Sequence, residues 1–169
     1  YFVFELPDIY SNGTKQFQWI RRIGEYIIKE ISFYVGTRLI DRQYPEWFHI
    51  TQETTLTDAK LAGYNNMIGN TTDFYDPKTS NNGTYPASTS IVPTIKGRKI
   101  YVPLHFWFNK SYGSALPLIA MQYDAEPTVN IKLRKLKDLY TLIVGSNRVK
   151  PSLDSHNLGL FLSHNSTDT

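Results

Sequence analysis

The feature that most restricts the fold of this chain is a set of short runs in which apolar side chains alternate with polar ones. Such runs occupy residues 2–6, 31–35, 100–108 and 129–133. A period of two places the apolar side chains on one face of a β-strand, as for Phe2, Phe4 and Leu6. Several short strands with turn residues between them predict an all-β sandwich of two packed sheets.

Short helices are predicted in two places between the predicted strands. Trp19, Ile20, Ile23, Ile27 and Ile28 recur at intervals of three to four residues and predict a short amphipathic helix. A second short helix is predicted to begin at residue 45, because proline and a following glutamate suit a first helical turn. The all-β sandwich therefore contains short inserted helices.

Connections are predicted from turn residues and from further apolar runs. Gly36 predicts a tight hairpin turn between residues 31–35 and 39–41, and residues 70–95 predict a long surface loop. Residues 116–123 form another apolar run, predicted to be a strand joined to residues 100–108 by a connection around Asn109–Gly113. The predicted core ends near Val144, before a polar tail.

Composition restricts the class of protein. The 169 residues, 41% of them hydrophobic, suffice for one domain. Cysteine is absent, no apolar run approaches the ~18 residues of a membrane span, and the formal charge is only +3, so neither a transmembrane segment nor a specific nucleic-acid partner is predicted. The basic residues Lys132, Arg134, Lys135 and Lys137 are interpreted as a solvated strand face, with contact to genome, membrane or an acidic neighbour as the alternative.

Catalytic or metal-binding patterns are not apparent in the sequence. The histidines His49, His105, His156 and His164 have no metal-ligand spacing, and His105 is expected to lie in a strand. Asp41 and Arg42 are interpreted as a structural ion pair at a turn, since no second carboxylate stands at a catalytic spacing. The sequence therefore predicts no enzyme, no cofactor and no metal.

Two neighbouring segments carry a more specific pattern, Tyr-Val-Pro-Leu-His-Phe-Trp-Phe at residues 101–108 and Ala-Leu-Pro-Leu-Ile-Ala-Met-Gln-Tyr at residues 115–123. Together they resemble the major capsid proteins of nucleocytoplasmic large DNA viruses, and the similarity extends over roughly residues 1–140. Asn109 and Ser114 depart from the family pattern, which has cysteine and leucine there. The residues that carry the family motif are Trp19, Gly24, Gly36, Asp41, Trp47, Pro103, Phe106, Trp107, Phe108, Leu116, Pro117, Leu118 and Tyr123.

The resemblance implies a jelly-roll β-sandwich, the first of two consecutive jelly rolls in the family. Residues 1–145 would form a partial first jelly roll whose opening strand is missing, and residues 146–169 a linker or tail toward a second one. The implied function is structural: homotrimers of pseudo-hexagonal outline would contact neighbouring capsomers and minor capsid proteins in an icosahedral virion. A carbohydrate-binding or glycan-processing jelly roll is the alternative, favoured if aromatic side chains cluster in one exposed groove.

Packing roles follow for the apolar motif residues. Phe106, Phe108, Leu118 and Ile119 are predicted to fill the space between two sheets. The tryptophans Trp19, Trp47 and Trp107 are predicted to pack in the core, with the subunit contact as the alternative.

N-glycosylation is the one modification that the sequence predicts. Five Asn-x-Ser/Thr sequons occur where composition predicts about two by chance. Their asparagines, mostly in predicted loops or the tail, are Asn12, Asn70, Asn82, Asn109 and Asn165.

Overall fold

A computed structural model of the chain describes residues 1–11, 15–89, 91–122, 126–151 and 158–162. The strands are β1 (Phe2–Leu6), β2 (Lys15–Trp19), β3 (Ile28–Val35), β4 (Arg38–Gln43), β5 (Arg98–Val102), β6 (Pro127–Leu133), β7 (Tyr140–Val144) and β8 (Asn147–Val149). The α-helices are α1 (Ile23–Tyr26), α2 (Pro45–Thr55), α3 (Asp58–Ile68), α4 (Thr72–Tyr75), α5 (Pro77–Ser80) and α6 (Leu118–Met121). Short 3₁₀ turns occupy Trp107–Asn109, Tyr112–Ser114, Leu136–Asp138 and Leu158–Phe161.

The described strands form three small antiparallel sheets. β1 pairs with β5, β2 with β7 and then β8, and β3 is central between β4 and β6. The β3–β4 hairpin turns at Gly36, whose φ of 58° lies in the left-handed region that glycine adopts without strain. This mostly β architecture with inserted helices is compatible with a β-sandwich and confirms the predicted strands at residues 2–6 and 129–133 and the hairpin.

One core connects the three sheets. Phe17 and Trp19 on β2 pack edge to face with ring centroids 4.8 Å apart, and Phe17 stacks on Tyr140 of β7 at 4.8 Å. Phe161 packs on the ring of Phe17, with ring centroids 5.4 Å apart, and is buried. A residue within the predicted tail therefore belongs to the core. Ile31 and Phe33 of β3 extend the cluster on the neighbouring sheet. The assignment of residues 1–145 and 146–169 to a domain and a tail stays a prediction.

The predicted helix around Trp19–Lys29 is wrong in its extent. Trp19 lies in β2 opposite Tyr140, and Ile28 begins β3, which leaves only the single turn of α1. Strand pairing overrides the helical spacing because both flanking segments find partners across the fold. The helix predicted at residue 45 is confirmed as α2.

The predicted strands within residues 100–123 are only partly present. β5 ends at Val102, since Pro103 has no N–H to continue the ladder. Residues 103–106 are irregular, so His105 does not lie in a strand, and the run after Pro117 forms the one-turn α6. Leu118 and Ile119 are 63% and 87% exposed and fill no space between sheets.

The predicted surface loop at residues 70–95 contains α4 and α5 and contributes to the core. Phe74 and Ile95 are buried, and Ile9 forms a β-bridge with Ile95. This segment therefore packs against the body of the protein over part of its length.

Candidate assembly surface

The segment of residues 101–122, called the signature segment below, is anchored on one side and exposed on the other. Its anchor is Phe106, which is 2% exposed, stacks on Phe108 at 5.0 Å and contacts Phe33 of β3 at 5.8 Å. Phe108 also packs on Phe33 at 5.0 Å. Both phenylalanines thus fix the segment against the β3 sheet, while their position between two sheets stays a prediction.

Hydrogen bonds between residues close in sequence then define the remainder of the signature segment. The Asn109 side-chain amide donates to the Leu104 carbonyl at 3.2 Å, and the Ser114 hydroxyl donates to the Trp107 carbonyl at 3.1 Å. These bonds close two compact turns between β5 and α6. The side chains of Trp107 and Tyr112 in these turns are exposed to solvent.

The exposed side of the signature segment is unusually apolar. Tyr112 is fully exposed, and Trp107, Leu118 and Ile119 are 42%, 63% and 87% exposed. These side chains belong to one segment, and exposed apolar side chains of this size occur at contact sites between proteins. This apolar surface is the candidate for assembly contacts.

Beside it lies a groove with a volume of about 520 Å³, between the signature segment and the β4–α2 corner. Tyr44 and Trp47 contribute from the start of α2, where the Trp47 amide donates to the Tyr44 carbonyl at 3.0 Å. Trp107 and Lys110 contribute from the opposite wall. Three half-exposed aromatic rings thus share one concave site.

The polar side chains of the groove are fixed by hydrogen bonds, but two of their buried atoms have no hydrogen-bond partner. The Gln43 side-chain amide donates to Asp41 Oδ2 at 2.9 Å and to the His105 carbonyl at 3.1 Å. Gln43 Oε1 and His105 Nε2 are buried without a hydrogen-bond partner. Burial, together with the positive charge of Lys110, lowers the pKa of His105, so this imidazole is neutral near pH 7.

A buried polar cluster links α1 to α3. Glu25 is fully buried and accepts hydrogen bonds from Arg22 Nε at 2.8 Å and from the Tyr64 hydroxyl at 2.7 Å. Burial and the neighbouring Glu25 carboxylate raise the pKa of Tyr64. Removing one partner of such a buried pair lowers the stability of the fold strongly, because a charge is left buried without a partner. The cluster therefore has a structural role.

The structure separates the predicted motif residues into three groups, which are buried, partly buried and exposed. Trp19 and Gly24 are buried in the core, whereas Trp47 and Trp107 are 43% and 42% exposed, so the core prediction is right for Trp19 and wrong for the other two tryptophans. The partly buried group comprises Asp41, Pro103, Phe108 and Leu116, and the exposed group also includes Gly36, Pro117 and Leu118. Tyr123 lies outside the described residues.

The charged residues singled out in the sequence have other partners than predicted. Arg42 faces Glu30 at 3.6 Å, while Asp41 accepts from Gln43 as described above. Lys132 also bonds Glu30, at 3.1 Å, and Arg134 lies 3.9 Å from Glu46. Half of the predicted basic face is thus balanced by carboxylates, consistent with a solvated surface.

Among the described residues, no group of three or more His, Asp or Glu side chains could hold a metal ion. None of the helices in those ranges is both long and apolar enough to cross a membrane. His156 and His164 lie outside the described residues.

Sequence reasoning missed the groove and the Glu25 cluster. The Arg22-x-x-Glu25 spacing was a local signal for the ion pair, but nothing in the sequence brings Tyr64 to the same carboxylate. The groove joins residues about 60 positions apart, as the bond between Gln43 and His105 shows. Only the packing of the signature segment on β3 creates it.

Comparisons with known proteins agree with this structural description. The sequence profile of the family described as major capsid protein N-terminus matches residues 2–158. The major capsid protein of Phaeocystis pouchetii virus is 34% identical over 153 residues, which are 82% of this chain and 29% of that protein. Probable capsid protein 4 of Acanthamoeba polyphaga mimivirus is 35% identical (76% of this chain, 22% of that protein), and the major capsid protein of Rana tigrina ranavirus is 28% identical (78% and 27%).

The proteins to which this chain is similar are named as viral capsid proteins, and the β-rich fold is compatible with that class. The chain belongs to the major capsid protein family of nucleocytoplasmic large DNA viruses, and it matches the N-terminal region of that family. Family membership indicates the capsid of the virion as its location. The chain spans less than a third of the length of the relatives named above.

Proposed function

We propose that this chain forms the first jelly roll of a capsid subunit that trimerises into pseudo-hexagonal capsomers of an icosahedral shell. Neighbouring capsomers and minor capsid proteins would be its further partners, and no chemistry is required of it. The three small sheets around one core are compatible with the two-sheet jelly roll that the resemblance implies.

The apolar side of the signature segment is the observation that carries this proposal. Leu118 and Ile119 follow a proline, are exposed and belong to a segment whose pattern the capsid family shares. Burying such side chains against another subunit contributes about 25 cal/mol per Å² of apolar surface, repeated at every symmetric contact. The exposure of Leu118 and Ile119 therefore supports the proposal that assembly buries them.

The decisive experiment is electron microscopy and light scattering of the full-length product that contains this chain. The double substitution Leu118→Ser and Ile119→Ser is expected to reduce trimer or shell formation without lowering the melting temperature. Ile91→Ser with Val92→Ser is the matched control, because Ile91 is 85% and Val92 56% exposed outside the signature segment. Assembly that survives the first pair as well as the control pair would contradict the proposal.

N-glycosylation at the sequons is a second proposal, and the structure ranks the described sites. Asn82 is exposed at a turn with a φ of 51°, and Asn109 is exposed but its amide bonds Leu104. Asn70 is half-buried, and its amide donates to Asn65 Oδ1 at 3.0 Å. We therefore expect Asn82 to be the best acceptor of the three described sites, while Asn12 and Asn165 lie outside the described residues.

Glycopeptide mass spectrometry of protein purified from virions would test this ranking. Asn82→Gln is expected to remove most glycan mass from its peptide, and Asn70→Gln to change little. An unmodified Asn82 peptide, with no mass shift after glycosidase treatment, would contradict glycosylation at this site.

A further inference from the structure

The groove between the signature segment and the β4–α2 corner has the composition of a ligand site. Its volume of about 520 Å³ lies within the range of small-molecule sites, roughly 300 to 1,000 Å³. Tyr44, Trp47 and Trp107 present rings that are 46%, 43% and 42% exposed. Such rings in a concave site offer flat apolar faces that a ligand can cover.

The buried polar atoms beside these rings narrow the ligand chemistry. Gln43 is 6% exposed, and its amide nitrogen is committed to two oxygen acceptors, so the unpaired atom is the acceptor Oε1. His105 is neutral, so one of its ring nitrogens can accept a hydrogen bond. A buried acceptor without a donor is unfavourable, so a ligand hydroxyl that reached Oε1 on a small movement of the Gln43 side chain would stabilise the complex.

Charge in the groove argues against a simple anion site. Asp41 and Lys110 both line it, so positive and negative groups stand side by side. Arg42, the remaining cation of the groove, is drawn toward Glu30 at 3.6 Å. A phosphate or a nucleic-acid backbone would meet the Asp41 carboxylate, whereas a polyhydroxylated neutral ligand can donate to Asp41 and accept from Lys110.

We propose that this groove binds a pyranose unit of a glycan. The weakly positive C–H face of a pyranose ring packs on the negative face of an aromatic ring, which the three exposed rings supply. Its hydroxyls both donate and accept, which matches the mixed polar set of Gln43, Asp41 and Lys110. Sugar binding would be a property additional to shell building, because the apolar residues Leu118 and Ile119 do not line the groove.

Titration of the chain with the methyl glycosides of glucose, galactose, mannose and N-acetylglucosamine tests the proposal. Tryptophan fluorescence and saturation-transfer NMR would follow binding up to tens of millimolar, the range expected for single sugar units. At least one glycoside is expected to change the fluorescence saturably. Trp19 is buried and is expected to add a constant background emission.

Matched variants distinguish specific binding in the groove from non-specific binding to the protein surface. Trp47→Ala and Trp107→Ala are each expected to weaken binding about tenfold, the size of one lost aromatic contact. Tyr101→Ala is the control, since Tyr101 is 42% exposed but lies on β5 outside the groove. Circular dichroism melting of each variant ensures that only folded protein is compared.

The outcomes are distinguishable from those of the assembly proposal. Sugar binding that is lost in Trp47→Ala and retained in the Leu118→Ser, Ile119→Ser double variant supports the groove as a separate site. Failure of all four glycosides to bind, or equal binding by the tryptophan variants and the parent chain, overturns it. Loss of assembly in Trp47→Ala without any sugar binding would assign the groove to the subunit contact instead and equally overturn it.

Discussion

Two regions of the molecule carry residues of the capsid-family pattern, and they use them in opposite ways. Around α1, Trp19 and Gly24 are buried among β2, α3 and β5, where each contact lies within the chain. Along the signature segment, Trp107, Leu118 and Ile119 are exposed, and only one side of the segment is anchored. A shared family pattern therefore contains both residues that hold the fold and residues that the fold presents outward.

Exchanging a tryptophan for alanine in each region gives the largest expected contrast. Trp19→Ala removes a 1%-exposed ring that packs on Phe17, and should lower the free energy of unfolding by about 3–5 kcal/mol. Trp107→Ala should lower it by less than about 1 kcal/mol, since its ring is largely at the surface. Chemical denaturation of both variants measures the difference, and similar losses would erase the distinction between the regions.

A glycine pair tests how closely the inner region is packed. A Cβ at Gly24 would lie 2.7 Å from the Ile68 carbonyl oxygen and 2.9 Å from Ile100 Cγ2, so Gly24→Ala should destabilise by about 1–3 kcal/mol.

Gly63 on α3 is the matched control for this pair, because its added Cβ would meet nothing within 4 Å. Gly63→Ala should be neutral or stabilise by up to about 1 kcal/mol through helix propensity. Thermal melts that show equal losses for both alanines would refute the close approach of α1 to α3.

The smallest expected effect is a pH dependence in the outer region. Since burial lowers the pKa of His105 in the folded protein, the unfolded chain takes up a proton first as the pH falls through about 6.5. This group therefore stabilises the fold above that pH and loses its contribution as the pH falls through the lower, folded pKa.

Melting temperatures measured between about pH 7.5 and 5.5 should fall more for the parent chain than for His105→Gln. Equal slopes for the two proteins would show that His105 is as hydrated when folded as when unfolded.

Local pattern was sufficient where neighbouring residues decide the structure. The period of two at Phe2–Leu6, the Gly36 turn and the proline start of α2 all appear as predicted, because each depends on residues within about one turn or hairpin. The same reasoning failed after Val102 and around Trp19. There the outcome depends on whether a distant strand is available for pairing, as Tyr140 is for Trp19.

The candidate site could be predicted only in part for the same reason. The signature segment was recognisable from its sequence, but its phenylalanines and tryptophans look equally apolar there. Phe106 is buried because it packs on Phe33 of β3, whereas its neighbour Trp107 is 42% exposed. Whether a side chain is buried depends on which residues pack against it in the folded protein, and the spacing of residues in the sequence does not give those contacts.

By itself, the sequence determined the β-rich character of the protein, its hairpin and its membership of the capsid family, since these follow from local periodicity and shared motifs. The tertiary structure alone decided that part of the signature segment faces outward, that Glu25 is clamped by Arg22 and Tyr64, and that three aromatic rings surround one groove. These features join residues far apart in the chain, and only the packing of the sheets and helices brings them within contact distance.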